Sequence, residues 1–400
     1  MRTLLYCLLL FVIFKSNGYA QSKKSGEQLP TLAWMGIPEH ETTLARFEEL
    51  KASGITHNFT LYSSADAMEK ALKLAEKTGI KMVIACPELR SEPEKTVRRF
   101  MNSPATAAYY LKDEPPRKDF PALGEWAKRI QAVDNKHFCY LNLLPNHADL
   151  RDMGTDNYLD YLSLFIKEVP LQVLSFDQYP VIGAGSSNIR ESWYDNLELF
   201  AKESKNAGKP FWAFALTVAH GPYPIPTQAA LRLQVYSNLA YGAQGIQYFT
   251  YQTVKDARWD FNNGPLTLDG KRTEVYDRMK LMNQEIKALS PVFLGARLLN
   301  VSHTGDTVPT GTFKLASALP KPFRILETVG LGAIVSHLKN GNDEYLVVVN
   351  RDMVKTMKLM VKCDDNVQRV LKDGTTVPAN AYMDTVVVEP GDVQIFKWKQ

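Results

Sequence analysis

The chain has 400 residues, enough for one or two domains with a large core. Hydrophobic residues make up 45% and charged ones 22%, a globular composition that excludes a fibrous or low-complexity chain. Lys and Arg number 47 against 43 acidic residues, and the resulting charge of +4 is spread along the chain, so nothing calls for nucleic acid as a partner.

The N-terminus reads as a signal peptide over residues 1–20. Arg2 supplies the positive start, Leu4 to Phe14 the apolar run, and Gly18-Tyr19-Ala20 a small-x-small cleavage pattern before Gln21. The run is too short to span a bilayer as a mature helix, and a buried N-terminal helix is the competing reading. Cys7 lies inside the run rather than after it, so no lipoprotein anchor is expected. The mature chain is expected to be exported, periplasmic or extracellular, with no segment apolar enough to enter a membrane. Cys86, Cys139 and Cys363 remain, an odd number. Cys86 and Cys139 sit in strand-like runs, where cysteine behaves as a small buried hydrophobe, and no disulfide framework is expected.

Residues 21–30 read as a flexible lead-in. From Thr31 one beat repeats eight times: short apolar run, polar corner, helical stretch. The runs are Thr31–Pro38, Ile55–Tyr62, Ile80–Pro87, Ala107–Lys112, His137–Leu144, Val173–Tyr179, Pro210–Thr217 and Gly245–Tyr251. Between them, stretches such as 43–53 and 65–78 place apolar residues at helical spacing. Gly54, Gly79 and Gly208 fall where a helix ends before the next strand. Strands alternating with helices imply parallel pairing through right-handed crossovers. Eight units over residues 31–290 match a closed (β/α)8 TIM barrel, which typically takes about 250 residues. An open doubly wound sheet is the alternative, but no Gly-rich phosphate loop follows the first strand.

After Pro291 the rhythm changes. Residues 345–350, 358–362, 367–371, 385–388 and 393–397 read as strands, separated by Asn340-Gly341-Asn342, Asp373-Gly374 and Pro390-Gly391. Residues 291–400 are expected to form a small antiparallel β-sandwich docked rigidly on the barrel.

In such barrels the reacting side chains stand at the C-terminal ends of the strands. The fourth run ends Tyr109-Tyr110-Leu111-Lys112-Asp113-Glu114-Pro115-Pro116. Cleavage of a glycosidic bond needs a carboxylic acid to protonate the leaving oxygen, and a half-buried Glu at a strand end suits that task. Capping of the next helix is the bland alternative for Asp113 and Glu114. The sixth run gives Asp177 beside Tyr179, a carboxylate and a ring that suit a sugar. Trp34, Glu39, Tyr62, Glu88, Asn142, Tyr251, Gln252 and Trp259 fall at strand ends or in the loops beyond and join the candidates for substrate contact. His220 follows the seventh run, which holds no carboxylate: Phe211-Trp212-Ala213-Phe214-Ala215-Leu216-Thr217. His40, His147 and His220 show no HxH or HExxH spacing, so no metal or other cofactor is expected. Lys112 is a minor candidate for Schiff-base chemistry and more simply an ion-pair partner.

These residues resemble the bacterial (β/α)8-barrel glycoside hydrolases of the large retaining clan, in particular β-galactosidase-like proteins of family 42. The likeness rests on Trp34-Met35-Gly36-Ile37-Pro38, on Lys112-Asp113-Glu114-Pro115, on Gly242-Ala243-Gln244-Gly245-Ile246-Gln247-Tyr248-Phe249, and on Gly264 to Thr273 with Tyr276 and Asn283 to Ile286. It implies that Glu114 is the acid/base. Two departures stand out. Asp113 replaces the Asn that helps hold the sugar 2-hydroxyl in the clan, and the clan's nucleophilic Glu after the seventh strand is absent.

Two readings follow. In one, the chain is a glycoside hydrolase with Glu114 as acid and Asp113, Asp177 or Glu39 as second carboxylate, the product being inverted if that partner is distant. In the other it is a non-catalytic carbohydrate-binding protein that kept the barrel. The partner expected is a carbohydrate; the sequence sets no oligomeric state.

Overall fold

The computed structural model describes residues 27–183, 188–379 and 385–399. The signal-peptide reading of residues 1–20 and most of the lead-in lie outside the described residues. Among those described, no helix is long and apolar enough to cross a membrane, and no group of three or more His, Cys, Asp or Glu side chains is arranged to hold a metal.

Eight parallel strands form the barrel: Thr31–Trp34, His57–Phe59, Lys81–Ile84, Thr106–Asp113, Phe138–Asn142, Leu174–Phe176, Phe211–Leu216 and Ile246–Phe249. Each pairs with its neighbour in sequence, and the first pairs with the eighth through Trp34 opposite Phe249. The fifth and sixth close the ring through a single bridge, Leu143 to Phe176, with the Leu143 N–H donating to the Ser175 carbonyl at 2.9 Å. The second strand is shorter than its apolar run, because residues 60–62 have already turned into the loop.

Alternation along each strand divides the core into two layers. Leu32, Trp34, Val83, Tyr140, Trp212, Phe214 and Leu216 fill the barrel interior. Their neighbours Ala33, Ile84, Tyr109, Cys139, Ala213 and Tyr248 point outward onto the helices. Those helices start and stop where the sequence signals them. Thr43, Ser64, Thr227 and Thr273 accept backbone N–H groups at their N-termini. Gly79 and Gly208 end helices Ala65–Thr78 and Ser192–Ala207 in the left-handed region, where a side chain is strained.

The final helix, Glu274–Phe293, carries Pro291 in its last turn and so outruns the expected boundary by three residues. Beyond it lie two antiparallel sheets. The larger is ordered Arg297–His303, Ala333–Asn340, Asp343–Asn350, Val393–Lys399, Gln368–Val370, Thr376–Pro378; the smaller is Phe323–Val329, Met357–Cys363, Val386–Val388. Four of these nine strands are not among the five expected. Arg297–His303 is broken by a register shift at Leu298 and Asn300, and Phe323–Val329 bears polar residues on its solvent face.

Both faces of the larger sheet are covered. Val335, Leu346 and Val348 meet Phe323, Leu359 and Val361 of the smaller sheet. Ile334, Tyr345, Val347 and Val349 join the outer barrel core. This double burial explains the unbroken apolar run at Tyr345 to Asn350. Ser336 also donates to the Ala240 carbonyl at 2.6 Å, and the Asn340 amide serves the carbonyls of Pro291, Val292 and Leu294 at the end of the final helix.

Candidate functional site

The fourth strand runs inward at Ala108 and Tyr110, then shifts register before Asp113 pairs with Asn142. Glu114 follows in the left-handed region at φ 43°, uncommon for a residue with a side chain. Its N–H donates to the Asn142 carbonyl at 2.9 Å, and the Pro115 carbonyl accepts from the Tyr161 hydroxyl at 2.8 Å, so the turn is pinned on both sides. Neither acid caps a helix: the 3-10 turn Arg117–Asp119 opens at Pro116 without a side-chain cap. Both carboxyls face solvent at the mouth while protein walls surround them.

Asp177 enters from the sixth strand and completes a cluster of three carboxyls. The Asn142 amide nitrogen donates to Asp113 Oδ1 at 3.2 Å and to Asp177 Oδ1 at 2.9 Å. Those two oxygens therefore stand no more than about 6 Å apart, either side of one hydrogen-bonding group. Glu114 and Asp177 are in direct hydrogen-bond contact.

Burial, then the charge of Asp177, pushes Asp113 up to about 7, against the opposing hydrogen bond from Asn142. Burial and the charge of Asp113 raise Glu114. Asp177, the most enclosed of the three, is raised furthest by burial and by Glu114. Carboxyls in contact cannot both ionise cheaply, so the Glu114–Asp177 pair holds a proton above the ordinary carboxylate range.

The orientation of Asn142 is set from below. Its Oδ1 accepts from the Ser175 hydroxyl at 3.0 Å, and Ser175 accepts from the Gln247 amide at 2.8 Å. Gln247 in turn accepts from the Tyr140 hydroxyl. This directional ladder crosses the barrel from the eighth strand to the fourth and leaves the Asn142 amide hydrogens facing the acids.

Beside the acids stands an aromatic wall. Tyr179 stacks on Phe249 with centroids 5.5 Å apart, and His220 lies against Tyr223 at 4.8 Å and Phe261 at 4.6 Å. Burial lowers the pKa of His220, so its ring is neutral and serves as one more flat surface. Trp259 leans on His220 at 5.7 Å and is 44% exposed. Trp34 floors the mouth, 4.3 Å from Phe59.

Residues 146–289 match the family model described as Beta-galactosidase, glycoside hydrolase 42. The resemblance read from the sequence is met there, over a span that includes Asp177, Tyr179, His220 and Trp259 and begins after Glu114. A catalytic mutant of a GH42 β-galactosidase from G. stearothermophilus is similar in structure, with TM-score 0.62 and 9% identity over 93% of this chain and 98% of that one. The α-amylase from Geobacillus thermoleovorans, complexed with acarbose, gives TM-score 0.52 and 11% identity, also over 93% and 98%. At such identities the likeness is one of fold. No curated protein matches the chain.

Several candidates sit elsewhere on the same rim. Glu39 accepts from the N–H and hydroxyl of Ser63 at 2.7 and 2.8 Å, which lowers its pKa. The Ala65 N–H does the same for Glu88. The Gln252 amide donates to Glu41 at 3.1 Å, within the rim. Lys112 is ion-paired to Asp119. Tyr62 is buried beside the third strand, away from the acids. Tyr251, expected on the pocket wall, instead joins the outer helix layer, where Arg272, Glu49 and Tyr276 surround it. The chain leaves the strand at Thr250, so counting by two from inward-facing Phe249 gives the wrong side. At the seventh-strand end Leu216 and Val218 pack inward, and the Thr217 hydroxyl donates to the Thr250 carbonyl at 2.8 Å. Tyr110, Tyr223, Phe249, Phe261 and the Ser175–Gln247–Tyr140 ladder were not singled out in the sequence; for Tyr110, Phe249 and Gln247 the available signal was inward parity on a barrel strand.

Proposed function

We propose that the chain is an exported glycoside hydrolase whose reaction is carried by Glu114, Asp177 and Asp113. The observation that carries this reading is the convergence of three carboxyls at the C-terminal mouth, two of them in contact, beside an aromatic wall. The proton that this pair holds supplies the acid for the leaving oxygen. A neighbouring ionised carboxylate faces the positive charge that grows at the anomeric carbon. With Glu114 as acid, the second carboxylate comes from Asp113 or Asp177, and the product anomer reports whether it attacks the sugar or activates a water. An entering sugar parts Glu114 from Asp177 and takes the place of their mutual contact. The aromatic wall supplies stacking surface for the pyranose ring.

Glu114→Gln tests the assignment. Gln cannot donate the proton, so turnover of a glycoside with a poor leaving group should fall about 10²–10⁴-fold, with the fold intact. A substrate whose leaving group needs no protonation should lose far less. Equal losses on both substrates, or a larger loss from Thr217→Ala or His220→Ala, would overturn the role of Glu114.

One observation favours the non-catalytic reading: the seventh-strand end offers only Leu216, Thr217 and Val218, with the threonine hydroxyl already engaged. Glycan binding at the mouth without any released product would establish that reading instead.

A further inference from the structure

A second cavity, about 500 Å³, opens on the same face beside the acids. Its volume lies within the roughly 300–1,000 Å³ of ordinary small-molecule pockets. Its walls come from the loops after the second and third strands, the end of the fourth strand, and helix Phe120–Val133. Tyr110 links it to the reaction centre. The ring lies 4.6 Å from Phe59 and 6.2 Å from Trp34 in the mouth, and the charges of Asp113 and Glu114 reach its hydroxyl.

The charged groups lining this cavity are not balanced. Lys112 is paired with Asp119, which cancels both. Cys86 is held neutral, its thiol pushed up to about 11 by burial. Arg90 has no acid. Its guanidinium lies 4.5 Å over the Trp126 ring and, among the described residues, makes no salt bridge or side-chain hydrogen bond. Trp126 is itself fixed, its indole N–H donating to the Leu89 carbonyl at 3.0 Å. An aromatic face holds a guanidinium in place while leaving its planar fork of N–H donors open, a geometry that matches a carboxylate or a sulfate ester.

We propose that this cavity is a subsite for a sugar residue bearing an anionic group, uronate or sulfate, which pairs with Arg90 while its ring lies against Tyr110. The inference rests on the carbohydrate reading of the neighbouring acids and adds a substrate class to it: acidic glycans.

The test is calorimetric titration of the full Glu114→Gln chain, so that binding is read without turnover. The probes are uronate-containing oligosaccharides, their carboxyl-reduced counterparts, and sulfated neutral oligosaccharides. An acidic glycan should bind at least about tenfold tighter than its neutral counterpart at low salt, with the advantage shrinking as ionic strength rises. Arg90→Gln should abolish the difference between charged and neutral forms, while Arg90→Lys should restore part of it. Which acidic probe binds tighter names the anion. Equal binding of charged and neutral forms, discrimination that survives Arg90→Gln, or no binding of either would overturn the subsite. The parent chain separates the two readings. Hydrolysis of acidic and neutral glycans with no preference between them, equal in the parent and in Arg90→Gln, overturns this inference alone, whereas Arg90-dependent binding without turnover overturns only the hydrolase reading.

Discussion

At the scale of single residues, the three carboxyls tie function to stability. Asp113 and Asp177 have pKa values above the ordinary range in the folded protein, so the folded chain keeps protons that the unfolded chain releases. Their favourable contribution is complete below about pH 4, the unfolded value. It is lost as pH rises, for Asp113 through about 7. Thermal unfolding should therefore show stability from these groups falling between pH 5 and pH 8. Asp177→Asn should flatten that fall and raise the melting temperature at pH 8 relative to the parent, because an amide has no charge to desolvate. Parallel profiles for parent and variant would show that the charges are relieved by water in the mouth. The raised acids also predict an activity profile with a basic limb, falling as Asp113 ionises through about 7.

At the scale of elements, the ladder from Gln247 to Asn142 holds the amide that opposes the upward shift of Asp113 and Asp177. Ser175→Ala leaves the Asn142 oxygen and the Gln247 amide without their shared partner inside the barrel, at a cost of about 1–3 kcal/mol. It also frees the Asn142 amide to rotate and withdraw its hydrogens from Asp113 and Asp177. Urea unfolding should show the loss, and the basic limb of the pH profile should move to higher pH. Loss of stability without movement of the limb would make the ladder a packing device only. None of this was legible in the sequence. Glu114 and Asp177 were, because each ends an apolar run and a barrel gathers strand ends on one face. Ser175, Gln247 and Tyr140 lie on different strands, and nothing local marks a polar residue as inward-facing and partnered. Tyr251 failed for a related reason: strand parity stops where the strand stops.

At the scale of the molecule, the barrel was legible because one local signal, strand run, corner and helix, repeats eight times, although the helices Pro93–Phe100, Phe120–Val133 and Ser192–Ala207 start without a side-chain cap. The second unit was only partly so. Its strands are recognised by what covers them, and Phe323–Val329 shows apolar residues on one face alone. The junction is also ionic. Arg232 donates to Glu285 at 2.6 Å, the Tyr236 hydroxyl donates to the same carboxylate at 2.5 Å, and Lys372 bridges to Asp392. Glu285 is 6% exposed and gathers donors from the barrel helix and the sandwich alike. Glu285→Gln should cost about 1–3 kcal/mol in urea unfolding, by weakening charge-assisted bonds at a buried seam. An unchanged midpoint would mean that apolar contacts of the larger sheet alone hold the two units together.

Trp259 gives the mouth an optical property. The other five tryptophans, Trp34, Trp126, Trp193, Trp212 and Trp398, are all under 9% exposed. Trp259 alone meets solvent, laid flat on Gly221, where an added Cβ would sit 2.6 Å from the indole ring at a backbone φ of 47°. A dissolved quencher such as acrylamide should reach this one indole first and dim the red edge of the emission. A glycan resting on the aromatic wall should shield it and shift that edge toward the blue. Occupancy of the mouth can thus be followed by intrinsic fluorescence, with Trp259→Phe as the silent control.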